Sequence, residues 1–224
     1  MTVHLFTRSC CTLLESTLRV SEIPVLAKAG GYQYAALTDH NVLFGFPAFS
    51  AACAKQEIRP IYGLEADTDY HGMTVPFLLL AEDRIGIHHL MECSSQLMET
   101  GKPISIADLN RYAEHNILIA YGEGGAADSE LIAGNREGTL EILKQMKAEL
   151  PEFDVAISYQ ESSLWKIKNE LLRELCRSLS IRTVAMNKIF YAGESDAQLC
   201  RILKGIKENR TIQDRSFPMI TGRS

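Results

Sequence analysis

The stretch ALTDHNVLFGFPAFSAACAKQEIRPIYGLE, residues 36–65, carries the pattern on which the fold assignment depends. It begins at the end of an apolar run and continues directly into Asp39 and His40. A helix-type segment follows at 46–57 and a strand-type segment at 59–67. Groups such as Asp39 and His40 commonly act at the carboxyl end of a strand in α/β proteins, as metal ligands or acid–base partners. The pair needs partners from other strand ends before it can form a functional site.

Strand-type and helix-type segments alternate along the rest of the chain. The pattern predicts strands at 3–7, 34–40, 59–67, 73–81, 117–122, 153–160 and 181–192. It predicts helices from Ser21 to Gly30, at 46–57, 86–98, 105–116, 128–149, 161–180 and 195–209. A polar turn at Tyr70-His71-Gly72 joins two of the strands. About seven strands, mostly separated by helices, favour parallel βα units, and both an open doubly wound sheet and a barrel fit this pattern.

Composition is that of an ordinary globular protein. The 224 residues are 46% hydrophobic and 23% charged, with a net charge of −5, so bulk electrostatics does not indicate a nucleic-acid binder. No apolar run approaches the roughly 20 residues needed to cross a bilayer, and the N-terminus lacks a signal-peptide pattern. We expect one domain over 1–212, with 213–224 as a linker or tail toward further domains.

The six cysteines are scattered without a C-x-x-C spacing. This usage predicts reduced thiols that fill space in the core of a cytosolic protein. The cysteines are Cys10, Cys11, Cys53, Cys93, Cys176 and Cys200.

Polar side chains gather near the predicted strand ends. They are Arg8, Glu15, Asp39, His40, Glu65, Glu123, Gln160, Glu161, Asn187 and Lys188. Of the six histidines only His40 stands at a strand end, although histidine is the commonest ligand of catalytic metals. The set is compatible with a metal site or with a cluster of ion pairs.

Residues 36–65 resemble the PHP (polymerase and histidinol phosphatase) domain, most closely the PHP domains at the N-terminus of bacterial DNA polymerase III alpha subunits. That family shows TDHGNLFG, a helix and an IKPIIGxE strand at the spacing found here. Other stretches resemble the family in collinear order, namely CTLLES (11–16), FLLLAEDRIGIHHLMECSS (77–95) and VAMNKIFYAGESDAQLCRILKGIKENRTI (184–212). The resemblance implies a distorted (βα)7 barrel of the PHP type.

The resemblance also implies the positions of a metal cluster. His40 and Glu65 match the family, and Glu15 and Glu123 are carboxylates that could substitute for its ligands. The remaining positions carry groups that do not bind a metal in their ordinary form, namely Phe6, Arg8, Pro76, Lys188 and Phe190.

A catalytic metal needs about three protein ligands and an open position. We therefore expect no catalytic residue and no cofactor in this domain. Our hypothesis is that Arg8 and Lys188 replace the metals and form ion pairs with the carboxylates of Glu15, Glu65 or Glu123. A single divalent metal on His40, Glu65 and Glu123 is the alternative.

The function implied by the resemblance is that of a cytoplasmic, inactive structural and docking module in bacterial DNA replication. The parent protein would be a DNA-directed DNA polymerase, a nucleotidyltransferase that holds its Mg²⁺ in later domains. Expected partners are those domains in cis and, as in some relatives, a proofreading exonuclease subunit, with DNA contacted only through the parent protein. The alternatives are a stand-alone PHP-type metal-dependent phosphoesterase and an α/β-barrel pseudoenzyme with an unrelated binding role.

Overall fold

The computed structural model describes residues 3–159 and 163–210. Gln160, Glu161 and the expected tail at 213–224 lie outside the described residues. The chain divides into two compact units, unit 1 with Met1–Tyr62 and Lys188–Ser224, and unit 2 with Gly63–Asn187. The single domain over 1–212 stays a prediction.

The helices follow the predicted order. They are α1 (Ile23–Ala29), α2 (Phe46–Gln56), α3 (Arg84–Thr100), α4 (Ile106–Ala113), α5 (Asp128–Ala133), α6 (Arg136–Glu149), α7 (Ser163–Ser178) and α8 (Glu194–Lys207).

The strands alternate with them. They are β1 (Tyr34–His40), β2 (Arg59–Tyr70), β3 (Met73–Ala81), β4 (Ile104–Ser105), β5 (Asn116–Tyr121), β6 (Phe153–Ile157) and β7 (Arg182–Ala185).

The direction of the strands in unit 2 differs in part from the parallel arrangement that we expected. β5, β6 and β7 are parallel, whereas β3 runs antiparallel to both β2 and β5. The cause is the turn between β2 and β3, in which His71 and Gly72 have φ of 51° and 83°. Two successive residues with positive φ form a tight hairpin that reverses the chain without a crossover helix.

Two predicted strands are largely wrong. Segment 3–7 contributes only an isolated parallel bridge between Thr7 and Ile189, and the strand expected at 181–192 ends at Ala185. Thr7 instead bonds to one residue of β1, since its N–H donates to Thr38 Oγ1 and its carbonyl accepts from Thr38 N, both at 2.9 Å. The backbone groups of Thr7 are thus hydrogen-bonded without a ladder.

Two helix predictions also need correction. The helix expected at 128–149 is divided in two, because Gly134 ends α5 in the left-handed region with φ of 69°. The side chain of Asn135 then caps α6 by accepting from Gly138 N at 3.1 Å. Ser21 is not the N-cap of α1. That position is occupied by Glu22, whose side chain makes no capping hydrogen bond to the helix.

Each unit has its own apolar core. In unit 1, α1 and α2 pack on β1 through Ile23, Phe49 and Leu37, and Phe49 and Leu37 are fully buried. In unit 2, the run Phe77–Leu80 of β3 is buried between two neighbouring strands. Full burial of one such side chain contributes about 1.5–3 kcal/mol, so these runs stabilise both units. Within the described residues, no helix has the length and apolar character needed to cross a membrane.

Candidate functional site

Asp39, near the end of β1, is a structural anchor for the loop that follows residue 8. Its carboxylate accepts from Ser9 N and Ser9 Oγ at 2.7 Å each and from Thr12 Oγ1 at 2.9 Å. The residue is 1% exposed, and burial raises the pKa of its carboxyl although the bonds from Ser9 and Thr12 oppose this. Both oxygens of Asp39 are already engaged by the loop.

His40 is linked to the same loop. The backbone N–H of His40 donates to Thr12 Oγ1 at 3.0 Å. The ring Nδ1 of His40 lies 3.6 Å from Glu15 Oε1. The hydroxyl of Thr12 therefore connects the carboxylate of Asp39 with the backbone of His40. The imidazole of His40 faces Glu15.

Glu15 is the centre of a charge cluster in unit 1. One carboxylate oxygen contacts the guanidinium of Arg8, and the other contacts the ammonium of Lys207 and faces His40. The side chains of Arg8 and Glu15 are only 12% and 13% exposed, so this ion pair is poorly screened by solvent. Arg8–Glu15 is one of the pairs that the ion-pair hypothesis named.

Two aromatic rings stand at positions where the family resemblance implies imidazoles. Phe6 and Phe190 meet edge to face, with ring centroids 5.9 Å apart. The Cζ atom of Arg8 lies 5.5 Å and 5.4 Å from their centroids, and Lys188 Nζ lies 5.4 Å from that of Phe6. Cations at these distances are attracted by the negative faces of the rings. The rings thus favour positive charge at these positions without providing a donor for a metal.

Backbone bonds hold the two aromatic segments together in place of a sheet. Arg8 N donates to Ile189 O at 3.0 Å, and Thr17 N donates to Phe190 O at 3.1 Å. The buried hydroxyl of Ser16 lies 2.7 Å from the carbonyl oxygens of both Arg8 and Phe190. These contacts fix the position of the cations relative to the rings.

Glu65 lies in the middle of β2 and not at a strand end as predicted. It is paired with Leu78 of β3 and is 0% exposed. Pro76 is paired with Asp67 two positions further along the same ladder. The strand continues to Tyr70 because the hairpin extends its pairing, and sequence patterning placed the end too early.

Glu123 follows β5 in unit 2, as the sequence suggested. It accepts a hydrogen bond from Ser158 Oγ at 2.9 Å, and Ser158 O accepts from Asn169 Nδ2 at 2.7 Å. The end of β5 is thereby connected through the residue after β6 to α7. Asn187, another predicted strand-end group, accepts from Tyr159 N at 2.8 Å.

The donor set does not fit the metal cluster that the family resemblance implies. Among residues 3–159 and 163–210, no three side chains of His, Cys, Asp or Glu converge as metal ligands. The two oxygens of Glu15 are taken by cations, and Asp39 is saturated by Ser9 and Thr12. A divalent ion could bind Glu15 only by displacing Arg8 and Lys207, and the positive charges of these two side chains would repel it.

Sequence reasoning missed Lys207 and the roles of Ser9 and Thr12. Lys207 lies in the last turn of α8, where a lysine is common on any solvated helix face, and it meets Glu15 only through the fold. For Ser9 and Thr12 the available indication was their position in the loop that follows the first strand-type segment.

The PHP domain family model matches residues 4–162 of this chain. DNA polymerase III subunit alpha of Bacillus subtilis is 30% identical over 216 residues, which cover 95% of this chain and 19% of that protein. The corresponding subunit of Borreliella burgdorferi is 29% identical over 211 residues, covering 87% of this chain and 18% of that protein. The chain thus spans about a fifth of the length of these relatives.

Solved structures show the same fold at low sequence identity. An amidohydrolase from Chromobacterium violaceum has a TM-score of 0.61 at 13% identity, with 87% of this chain and 89% of that chain covered. A putative metal-dependent phosphoesterase from Bifidobacterium adolescentis has a TM-score of 0.61 at 10% identity, with 84% and 87% covered. The predicted α/β fold of the PHP type is confirmed. With the family match and these relatives, the chain belongs to the PHP domain family.

Proposed function

We propose that this chain is the PHP domain of a bacterial DNA polymerase III alpha subunit and serves there as a structural and docking module without phosphoesterase activity. The observation that carries the proposal is the engagement of Glu15 by Arg8 and Lys207. Guanidinium and ammonium groups supply fixed positive charge where a phosphoesterase would need metal ions with an open coordination position.

The aromatic residues support an inactive site. Phe6 and Phe190 stabilise Arg8 and offer no lone pair to a metal or to a water molecule. Hydrolysis of a phosphate ester by this family's chemistry requires a water activated by metal ions, and the carboxylate of Glu15 is already engaged by two cations.

The polymerase assignment is supported by the relatives. The subunits of B. subtilis and B. burgdorferi are similar to this chain along nearly its whole length. In such a parent protein the domain would contact the remaining polymerase domains in cis and would be cytoplasmic. We further propose that DNA and Mg²⁺ are bound by those other domains, and that a proofreading exonuclease subunit is a partner in trans.

Metal content provides the first test. The purified chain is incubated with MnCl₂ or ZnCl₂, freed of excess metal and measured by inductively coupled plasma mass spectrometry, with hydrolysis of p-nitrophenyl phosphate assayed in parallel. We expect metal well below one equivalent and background hydrolysis. One or more tightly bound equivalents, together with hydrolysis above background, would contradict the proposal and favour a stand-alone phosphoesterase.

A variant with restored ligands provides the matched control. Phe6→His and Arg8→His together return two imidazoles to positions that the family resemblance assigns to metal ligands, and they remove one cation from Glu15. This double variant should retain more Zn²⁺ than the unmodified chain if the positions implied by the family resemblance are correct. Circular dichroism must show that it remains folded.

Polymerase activity is tested on the complete gene product. It should extend a primed template with deoxynucleotides and Mg²⁺, whereas the 224-residue chain alone should not. Absence of extension by the complete product would disprove the polymerase assignment.

A further inference from the structure

Helix α8 of unit 1 has an apolar stripe on its outer side, made of Leu199, Ile202, Leu203 and Ile206. The spacing of these residues places them on one face of the helix. Leu199 and Ile206 are 52% and 60% exposed, and the two residues between them are half-buried. Single exposed apolar side chains are ordinary on a protein surface, whereas a continuous stripe indicates an interaction surface.

Contacts between α8 and the rest of unit 1 keep the stripe turned outward. Cys200 is fully buried, and its Sγ lies 3.7 Å from Thr17 Oγ1 and 3.6 Å from the carbonyl oxygen of Phe190. One turn from the end of the helix, Lys207 contacts Glu15. A rotation of α8 that buried the stripe would break these contacts, so the stripe can be covered only by a group that comes to it.

We propose that the apolar stripe is the docking site for the segment of this chain that follows α8, residues 211–220. The sequence of this segment, TIQDRSFPMI, carries Ile212, Phe217, Met219 and Ile220 among polar residues. Packing of these side chains on the stripe removes apolar surface of both partners from water. The inference concerns a contact within unit 1, so it goes beyond the proposed function and does not rest on it.

The backbone at the end of α8 turns the chain back toward the helix. Asn209 has a left-handed backbone with φ of 52°, and its N–H donates to Ile206 O at 3.2 Å. The N–H of Arg210 donates to Gly205 O at 2.9 Å. These two bonds form a Schellman motif, in which the residues after the helix lie beside its last turn.

The position of Arg210 brings the following segment to one end of the stripe. A Cβ atom on Gly205 would lie 3.5 Å from Arg210 O, so the chain passes directly over this glycine. Gly205 and Ile202 are three residues apart and are therefore neighbours on the helix surface. Residues 211–217 span at most about 25 Å when extended, and the stripe is about 10 Å long, so Phe217 can reach all of it.

Size and tethering favour this segment over a second copy of the chain. The stripe belongs to one helix, whereas a standard interface between proteins takes about 20–30 residues from each partner. A segment joined directly to Arg210 is present at an effective concentration on the order of millimolar. A small apolar contact is sufficient for docking at that concentration.

Photochemical crosslinking tests the contact in the 224-residue chain, with p-benzoylphenylalanine incorporated in place of Phe217. After irradiation in dilute solution, we expect crosslinks within single chains that mass spectrometry maps to residues 199–206. Leu199→Asp combined with Ile206→Asp should lower the yield about fivefold or more, because docking would then bury carboxylates without partners.

The matched control is Ile85→Asp combined with Met91→Asp. These side chains lie on α3 and are 51% and 53% exposed, close to the exposure of the residues changed in the stripe. This variant should crosslink as the unmodified chain does. Circular dichroism reports whether both double variants are folded, and Leu199→Ser with Ile206→Ser replaces the first if it is not.

Binding of the dye 8-anilinonaphthalene-1-sulfonate gives a second readout, since its fluorescence rises on exposed apolar surface. Met219→Asp with Ile220→Asp should raise the fluorescence, because the stripe is then uncovered. Ser216→Asp with Thr221→Asp adds the same charge to the same part of the chain at polar positions and should leave the fluorescence unchanged.

The remaining outcomes overturn the proposal. Crosslinks between two chains, with a yield that rises with protein concentration, would assign the stripe to a second copy. Crosslinks that fall outside residues 199–206, or no crosslinks, would exclude the segment as the occupant. Equal dye fluorescence of the two charge-matched variants would do the same. None of these readouts depends on metal content or polymerase activity, so failure here is distinguishable from failure of the proposed function.

Discussion

His40 Nδ1 lies 3.6 Å from Glu15 Oε1, and the opposite oxygen of that carboxylate contacts the guanidinium of Arg8. The family resemblance assigns both His40 and Glu15 to one metal cluster. Here the two side chains face each other directly, and cations from Arg8 and Lys207 complete the surroundings of the carboxylate. Positive charge next to this carboxylate is therefore provided by side chains of the chain itself.

Glu15→Gln should destabilise the domain by about 1–2 kcal/mol, because a neutral amide pairs poorly with the mostly buried guanidinium of Arg8. The free energy of unfolding in urea is the measurement. Glu57→Gln is the control. The side chain of Glu57 is 89% exposed and lies 4.0 Å from Lys28 Nζ, so this substitution should not measurably change the free energy of unfolding. An equal loss for both variants would remove the special role of Glu15.

Glu65→Ala should cost about 3 kcal/mol, because Glu65 is 0% exposed and both its volume and its polar interactions are lost. Hydrolysis of p-nitrophenyl phosphate should stay at background before and after the change. Glu82→Ala, at an exposed position after β3, is the comparison for unfolding. A fall in phosphoesterase activity on removal of Glu65 would refute the structural assignment.

Asp39→Asn tests the pH dependence that follows from burial of this carboxylate. The pKa of Asp39 is raised above 3.8, chiefly by burial, so the folded chain binds this proton more tightly than the unfolded chain does. The stabilising contribution of the group is complete below pH 3.8 and is lost as pH rises through the folded pKa. The difference in unfolding free energy, wild type minus variant, should therefore decrease from acid toward neutral pH. A difference that grows with pH would contradict the sign of the shift.

The cysteines should react in the order of their exposure. Burial raises the pKa of Cys53 to about 11 and those of Cys93 and Cys176 to about 12, while Cys10 is exposed. A thiol reagent used below the ordinary thiol pKa of about 8.5 should modify Cys10 first and the buried thiols only after unfolding. Cys10→Ser should abolish the fast phase. Fewer than six titratable thiols in denaturant would instead indicate a disulfide.

Local sequence patterns determined most of the secondary structure. β1 and β3 have the bounds that the sequence predicted, 34–40 and 73–81, and each contains a continuous apolar stretch, as strands buried on both faces do. The turn at His71-Gly72 was also identifiable, since glycine beside a polar residue favours the backbone that a tight hairpin needs. The motif around Asp39 and His40 identified the family through collinear stretches along the chain.

Tertiary structure alone decided how the site is filled. Lys207 contacts Glu15, although the two residues are 192 positions apart in the sequence. Phe190 meets Phe6 next to the isolated bridge between Thr7 and Ile189, and no periodicity in the sequence indicates this contact. The end of β2 beyond Glu65 likewise depends on its pairing with β3. Sequence patterns report which side chains are apolar and which are charged over short distances. Which charges neutralise one another depends on which distant parts of the chain are brought together on folding, and this is visible only in the tertiary structure.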